Sequence, residues 1–297
     1  MGITIAISNQ TGGVGKSTTA YNLSAALVKK FDMNVLLVDI DPQANLSEYM
    51  GYEPNGNPTM TQLVMTASTG GILSSELVES AIRHCDRANL DYIPADINLA
   101  NSETLMSTAL SRETILRRIL STEATKEYNF IIIDCLPSLS TLLINALTAS
   151  DKLLIPVQTQ KFSLDGLQAL DNLYQQIRTA INPNLSMLGV LPTMVDRTKI
   201  SKNALEVLSE KYGDTLFQTS ISKSIEAAKS SESGIPLCFT DHKLGQEYES
   251  LAQEVFERCY VCLISQWTPT SRSLQNATAK SRCGTTVKKL RLISLKQ

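Results

Sequence analysis

Residues 3–30, ITIAISNQTGGVGKSTTAYNLSAALVKK, decide the fold. The run Ile3–Ser8 is apolar and β-branched, as expected of a buried strand. The segment from Ser17 onward has helical periodicity and no Gly or Pro. Between them lie Gln10, Thr11, Gly12, Gly13, Val14, Gly15, Lys16, Ser17 and Thr18. A glycine-rich turn between a strand and a helix is the setting of a phosphate-binding loop. The glycines let backbone N–H groups approach anionic oxygens with no Cβ in the way, and the helix N-terminus adds unpaired donors. Lys16 is expected to reach the β- and γ-phosphates, and the Ser17 hydroxyl to ligate magnesium. The common G-x-x-x-x-G-K-[ST] pattern requires glycine at position 10. This chain has Gln10, so Gly12 and Gly13 must supply the tight turn.

Outward from this segment, apolar runs alternate with helical stretches. Strands are expected at 3–8, 35–40, 90–94, 130–134, 152–157 and 186–193. Helices are expected at 17–30, 110–121, 138–149, 163–181, 199–212 and 242–265, with loops and short helices over 50–80. Several strands are continuously Ile, Leu and Val, the pattern of strands buried on both faces of a parallel sheet. The expectation is a doubly wound α/β fold, mostly parallel, with helices on both faces. Ligands of such folds sit beyond the carboxyl ends of the strands.

Acids stand at two of those ends. The second strand runs into Asp39 and Asp41, and FIIID ends in Asp134. Phosphoryl transfer needs positioning and charge neutralisation more than covalent chemistry. One of Asp39 and Asp41 can orient the attacking water, while the other supports magnesium. Lys16, Asp41 and Asp39 are therefore the catalytic candidates, and Ser17, Asp41 and Asp134 the magnesium candidates.

Composition sets the remaining bounds. The chain has 297 residues, 43% of them hydrophobic, and a net charge of −2. No apolar run reaches the ~18 residues of a membrane span, and the N-terminus lacks a signal-peptide pattern. Gly2 is not followed by Ser or Thr at position 6, so the myristoylation pattern fails. A cytoplasmic protein is expected. The six cysteines follow no disulfide spacing, and Cys259 and Cys262 read as small thiols within a helix. His84 and His242 form no cluster. Composition turns polar and basic near residue 266, so an enzymatic domain over 1–266 and a flexible tail over 267–297 are expected. The tail holds seven basic residues and no acid, leaving 20 basic against 29 acidic residues in the body. It reads as a nucleic-acid arm or as a solvated extension.

Taken together, these motifs resemble the ParA/MinD family of deviant Walker-box ATPases over roughly residues 1–265. NQTGGVGKSTTAYNLSAAL resembles the family's phosphate loop and first helix, and VLLVDIDPQANLS its second motif. FIIIDCLPSLSTLLINALTASDKLLIPVQTQKFSLDGL is similar to its Walker B strand and the elements that follow. TMVDRT resembles its adenine-side motif, and GDTLFQTSISKSIEAAKSSESGIPL its closing segment. The resemblance implies ATP and Mg2+ as cofactors and slow hydrolysis stimulated by a partner. It implies a homodimer with ATP sandwiched between subunits, non-specific binding of nucleoid DNA, and a ParB- or McdB-like adaptor. It also places Asp196 beside the nucleotide. The membrane helix of MinD is not evident. The partly apolar VKKLRLISLKQ keeps membrane association as a lesser alternative.

One family feature is missing. The signature lysine that crosses to the partner's nucleotide is replaced by Thr11. Loss of a charge-assisted contact costs about 1.5–3 kcal/mol. Lys161, beyond the end of the fifth expected parallel strand, is the candidate replacement; Lys152 begins that strand and belongs at the opposite end. The missing lysine resembles the carboxysome-positioning McdA subgroup. Basic residues of the family's DNA surface correspond to Arg197, Lys199, Lys202 and Lys223. Partition of plasmids or chromosomes is the close alternative, and a DNA-binding scaffold with negligible hydrolysis a third reading.

Overall fold

A computed structural model describes residues 2–160 and 164–265, with side chains omitted at 164–165 and 261–265. Residues up to Cys259 form one compact unit, and a second unit begins at Tyr260. Lys161, the expected boundary at 266 and the basic tail 267–297 lie outside the described residues.

Seven strands form one sheet: β1 (Ile3–Ile7), β2 (Val35–Asp39), β3 (Arg83–Cys85), β4 (Leu90–Ile93), β5 (Phe130–Asp134), β6 (Lys152–Gln158) and β7 (Ser186–Thr193). Their order is β3-β4-β2-β5-β1-β6-β7, with helices on both faces. All pairs are parallel except β3 with β4. The expected parallel α/β architecture is the one observed. Every residue of β2 and β5 is buried, as the unbroken aliphatic runs require.

The short strand β3 was not anticipated. It has three residues, Arg83, His84 and Cys85, and joins β4 through a turn with Asn89 in the left-handed region at φ 50°. So short and polar a run carries no period that marks a strand. The expected helix over 110–121 is a 3-10 turn (Arg112–Thr114) leading into Ile115–Ile119. The helix expected from 138 begins at Thr141, after Pro137. Helices Leu99–Thr108 and Glu226–Ser233 were not expected. The first helix, Lys16–Phe31, is buried from Thr19 through Leu27 and packs on the sheet.

Strand order determines which tips meet. β5 lies between β1 and β2, so the phosphate loop after β1 is not adjacent to β2 in the sheet. Register aligns the three tips nevertheless. Ile7 pairs with Asp134, and Asp134 pairs with Asp39.

A candidate nucleotide site at the tips of β1, β2 and β5

The loop from Gln10 to Gly15 leaves β1 and turns into the first helix. Gly13 at φ 73° and Gly15 at φ 88° occupy the left-handed region, where a side chain would be strained. An ideal Cβ on Gly12, Gly13 or Gly15 would meet no atom within 4 Å. The cradle is thus open on the face where the missing Cβ atoms leave room. Val14 is buried and anchors the loop. Two further ties hold it. Asn9 Oδ1 accepts from the Thr11 N–H at 2.9 Å, while Asn9 Nδ2 donates to the Pro156 carbonyl of β6 at 2.7 Å. Thr193 Oγ1, at the tip of β7, donates to the Val14 carbonyl at 2.8 Å.

Lys16 opens the helix and is 7% exposed. Its ammonium donates to the Thr11 carbonyl at 3.2 Å and so closes over the loop. Burial pulls its pKa below the ordinary lysine value, against the attraction of Asp134, Cys135 and Asp41. Ser17 and Thr18 follow on the first turn and are half-buried.

The three acids differ sharply. Asp39 is buried, and both its oxygens are engaged. Oδ1 accepts from the Asp41 N–H at 3.0 Å; Oδ2 accepts from the Ser47 N–H at 2.9 Å and the Ser47 hydroxyl at 2.7 Å. The Ser47 oxygen in turn accepts from the Ala95 N–H at 3.0 Å. Burial pushes the Asp39 carboxyl up to about 6, although the hydrogen bonds from Ser47 and Asp41 favour its charge. Asp41 is 8% exposed, and its Oδ1 accepts from the Gln43 N–H at 2.9 Å. Asp134 is 1% exposed, and neither oxygen reaches hydrogen-bonding geometry with a protein donor. Burial, then the charge of Asp39, raise its pKa well above the carboxylate range. The Ser17 hydroxyl and the Lys16 ammonium favour its charge without offsetting this.

A buried carboxylate without a donor is costly unless a cation or ligand compensates it. Here it lies among a lysine, a serine hydroxyl and an open glycine cradle. These residues fit a magnesium-bound polyphosphate: the cradle offers backbone donors, and Asp134 and Ser17 offer oxygen ligands. The structure therefore brings together Thr11 through Thr18, Asp39, Asp41 and Asp134. It places Lys152 at the opposite end of β6, donating to Ser186 Oγ at 2.9 Å.

Asp196 follows the tip of β7. Its Oδ1 accepts from the Thr198 N–H at 3.0 Å and from the Thr198 hydroxyl at 2.5 Å, and Thr198 caps the helix Lys199–Tyr212, its own oxygen accepting from the Ser201 N–H at 3.3 Å. These bonds hold its carboxyl below its ordinary range. Arg197, Lys199, Lys202 and Lys223 are all exposed. The backbone joins their two segments: Val195 pairs with Ser222, and the Lys223 N–H donates to the Val195 carbonyl at 3.0 Å. Lys229 differs, because it is paired with Glu226 at 2.7 Å.

Sequence reasoning missed four contributors: Asn9, Ser47, Gln160 and Thr193. All four lie within the segments quoted for the resemblance, but no spacing gave any of them a role of its own. Ser47 meets Asp39 only because the loop after β2 folds back. A cavity of about 490 Å3, lined by Glu79, Arg83, His84, Asp91, Glu127 and Tyr128, lies at the other end of the sheet.

A family profile described as "AAA domain" matches residues 2–187. Sporulation initiation inhibitor protein Soj of Bacillus subtilis is 40% identical over 261 residues, covering 86% of this chain and 98% of Soj. Chromosome partitioning protein ParA of Caulobacter vibrioides is 34% identical, covering 86% of this chain and 94% of ParA. Among solved structures, cobyrinic acid a,c-diamide synthase from Mycobacterium smegmatis with bound ATP analog and magnesium superposes with a TM-score of 0.73. It is 28% identical and covers 87% of this chain and 96% of that one. Apo McdA of Cyanothece has a TM-score of 0.75 at 24% identity, covering 86% of this chain and all of McdA; at that identity the likeness speaks to fold alone. With the profile spanning most of the sheet and relatives matching nearly end to end, the chain belongs to the ParA/Soj branch of the AAA-domain P-loop ATPases.

Proposed function

We propose that this chain is a ParA-type ATPase that binds Mg·ATP between the glycine cradle and Asp134, dimerises around it, and binds DNA non-specifically in that state. The observation that carries the reading is the buried Asp134 carboxylate, which lacks a hydrogen bond of regular geometry from the protein and stands beside Lys16 and the Ser17 hydroxyl under the open loop.

The proposed roles are these. Backbone N–H groups of residues 12–18 take phosphate oxygens. Lys16 turns from the Thr11 carbonyl to the β- and γ-phosphates. Ser17 and Asp134 would hold magnesium, which would supply charge neutralisation at the phosphates. Asp41 has one oxygen not engaged by a described donor and orients the attacking water. Asp39 has none to spare and acts by positioning Asp41 and the loop to Ser47. Asp196 lies on the base side of the nucleotide.

Arg197, Lys199, Lys202 and Lys223 form the DNA rim. Contacts to phosphates need charge and no base reading, so binding is sequence-tolerant and salt-dependent. Lys161 is the proposed replacement for the signature lysine at Thr11. For cargo, chromosome or plasmid partition with a ParB-like adaptor is favoured by the relatives' names. Carboxysome positioning with an McdB-type adaptor is the second reading, favoured by Thr11. A cytoplasmic, nucleoid-associated location fits both. Among the described residues no helix is long and apolar enough to cross a membrane.

The decisive experiment is nucleotide binding and phosphate release by the full chain with and without Mg2+, beside Lys16→Ala and Asp134→Ala. The reading requires magnesium-dependent ATP binding that Lys16→Ala removes. ATP binding that ignores both magnesium and Lys16 sinks it. Release that stays negligible with DNA and adaptor present returns the chain to the scaffold reading.

A further inference from the structure

The carboxamide of Gln160 stands between two groups of opposite charge. Its Nε2 donates to Asp196 Oδ2, and its Oε1 accepts from Lys223 Nζ at 3.1 Å. An amide bridges a carboxylate and an ammonium in only one orientation, so the two partners fix which end is oxygen. The surrounding backbone fixes the spacing. The Val195 N–H donates to the Ile221 carbonyl and the Lys223 N–H to the Val195 carbonyl, both at 3.0 Å.

Gln160 also stands at the end of a bonded path from the phosphate loop. The Val14 carbonyl accepts from Thr193 Oγ1 at 2.8 Å. The Thr193 carbonyl accepts from the Thr159 N–H at 3.2 Å, and Gln160 is the next residue. Thr159 Oγ1 lies 2.8 Å from Ser201 Oγ, on the helix that follows Arg197 and begins at Lys199. The two oxygens of Asp196 are divided: Oδ1 accepts from the N–H and hydroxyl of Thr198, whereas Oδ2 accepts from Gln160.

We propose that Gln160 couples nucleotide occupancy to the basic rim. In the nucleotide-free chain its amide retains the Lys223 ammonium beside Asp196, away from a polyanion. A donor arriving at Asp196 Oδ2, such as the exocyclic amine of adenine, takes the oxygen that Gln160 now uses. The amide and Lys223 are then released together, and DNA affinity rises. The proposal rests on the reading of Asp196 and Lys223 as nucleotide-side and DNA-side residues. By linkage the two ligands must strengthen each other equally. Exposed contacts of this kind are weak, so the coupling is on the order of 3- to 10-fold.

The test uses the full chain and a duplex of mixed sequence, with no nucleotide, with a non-hydrolysable ATP analogue, and with the corresponding inosine nucleotide, which lacks the amine. The unaltered chain should bind DNA more tightly with the ATP analogue, and less so with the inosine nucleotide. In Gln160→Ala, nucleotide-free DNA affinity should rise about 3- to 10-fold while the loaded affinity holds, so the ratio shrinks. In a Lys223→Ala background the same substitution should change neither. An unchanged ratio in Gln160→Ala overturns the coupling alone, as does a gain that survives in Lys223→Ala or a full response to the inosine nucleotide. Absence of DNA binding by the unaltered chain, with Mg·ATP binding intact, removes the DNA reading and the coupling with it.

Discussion

Asp39 and Asp134 end neighbouring strands in the same register, yet their carboxylates are treated in opposite ways. Every oxygen of Asp39 is engaged by its own loop, and neither oxygen of Asp134 meets a protein donor. One acid holds backbone in place, while the other is the oxygen ligand proposed for magnesium. Strain of this kind at a site is stability given up for ligand binding.

That contrast makes Asp134→Asn informative. Replacing this carboxyl, whose ionisation burial disfavours, with a neutral amide should raise the stability of the nucleotide-free protein by about 1–2 kcal/mol. The same change should abolish the added stability that Mg·ATP confers. Thermal unfolding with and without Mg·ATP measures both. A variant that is less stable alone, and still stabilised by the ligand, contradicts the assignment.

The stability of the nucleotide-free protein should fall as pH rises through about 4 to 6. The folded carboxyl of Asp39 titrates near 6, above its ordinary value of 3.8, because burial disfavours the charge. Its contribution is therefore complete below the unfolded value and lost as pH passes the folded one. The loss is at most about 3 kcal/mol. Asp134, raised by the same burial, acts in the same direction. Urea unfolding at several pH values should show the slope, and Asp39→Asn should flatten it.

Ser47→Ala should separate positioning from binding. It removes the hydroxyl that donates to Asp39 and accepts from the Ala95 N–H. The stability cost should be about 1–3 kcal/mol, since two buried groups lose a partner. With the Asp41 loop less constrained, turnover should fall more than ATP affinity. Equal losses in both would assign Ser47 to nucleotide binding itself.

On the proposed DNA rim, Arg197→Ala and Lys223→Ala should each weaken binding to all sequences alike. Each should also reduce the slope of log affinity against log salt by about 1. Lys229→Ala should do less, because that lysine is already paired with Glu226. A salt titration of the four proteins decides the matter, and unchanged slopes would move the DNA contact elsewhere.

Lys161→Ala should prevent ATP-dependent dimerisation, and Lys152→Ala should not. Lys152 is bonded to Ser186 at the start of its strand, far along β6 from the phosphate loop. Light scattering with ATP distinguishes the two.

By itself the sequence determined the phosphate loop, the parallel α/β class and the three acids at strand ends. Each of these is a local matter: glycine tolerates positive φ, an unbroken aliphatic run demands burial on both faces, and a polar residue ends such a run where the strand emerges. The tertiary structure decided the rest. Only sheet order inserts β5 between β1 and β2, and only register aligns Ile7, Asp134 and Asp39. Only chain return brings Ser47 to Asp39, Thr193 to Val14, and Lys223 to Gln160. The last two join residues distant in the chain, the first depends on a loop folding back, and a hydrogen bond of either kind leaves no period or spacing in the sequence to reveal it.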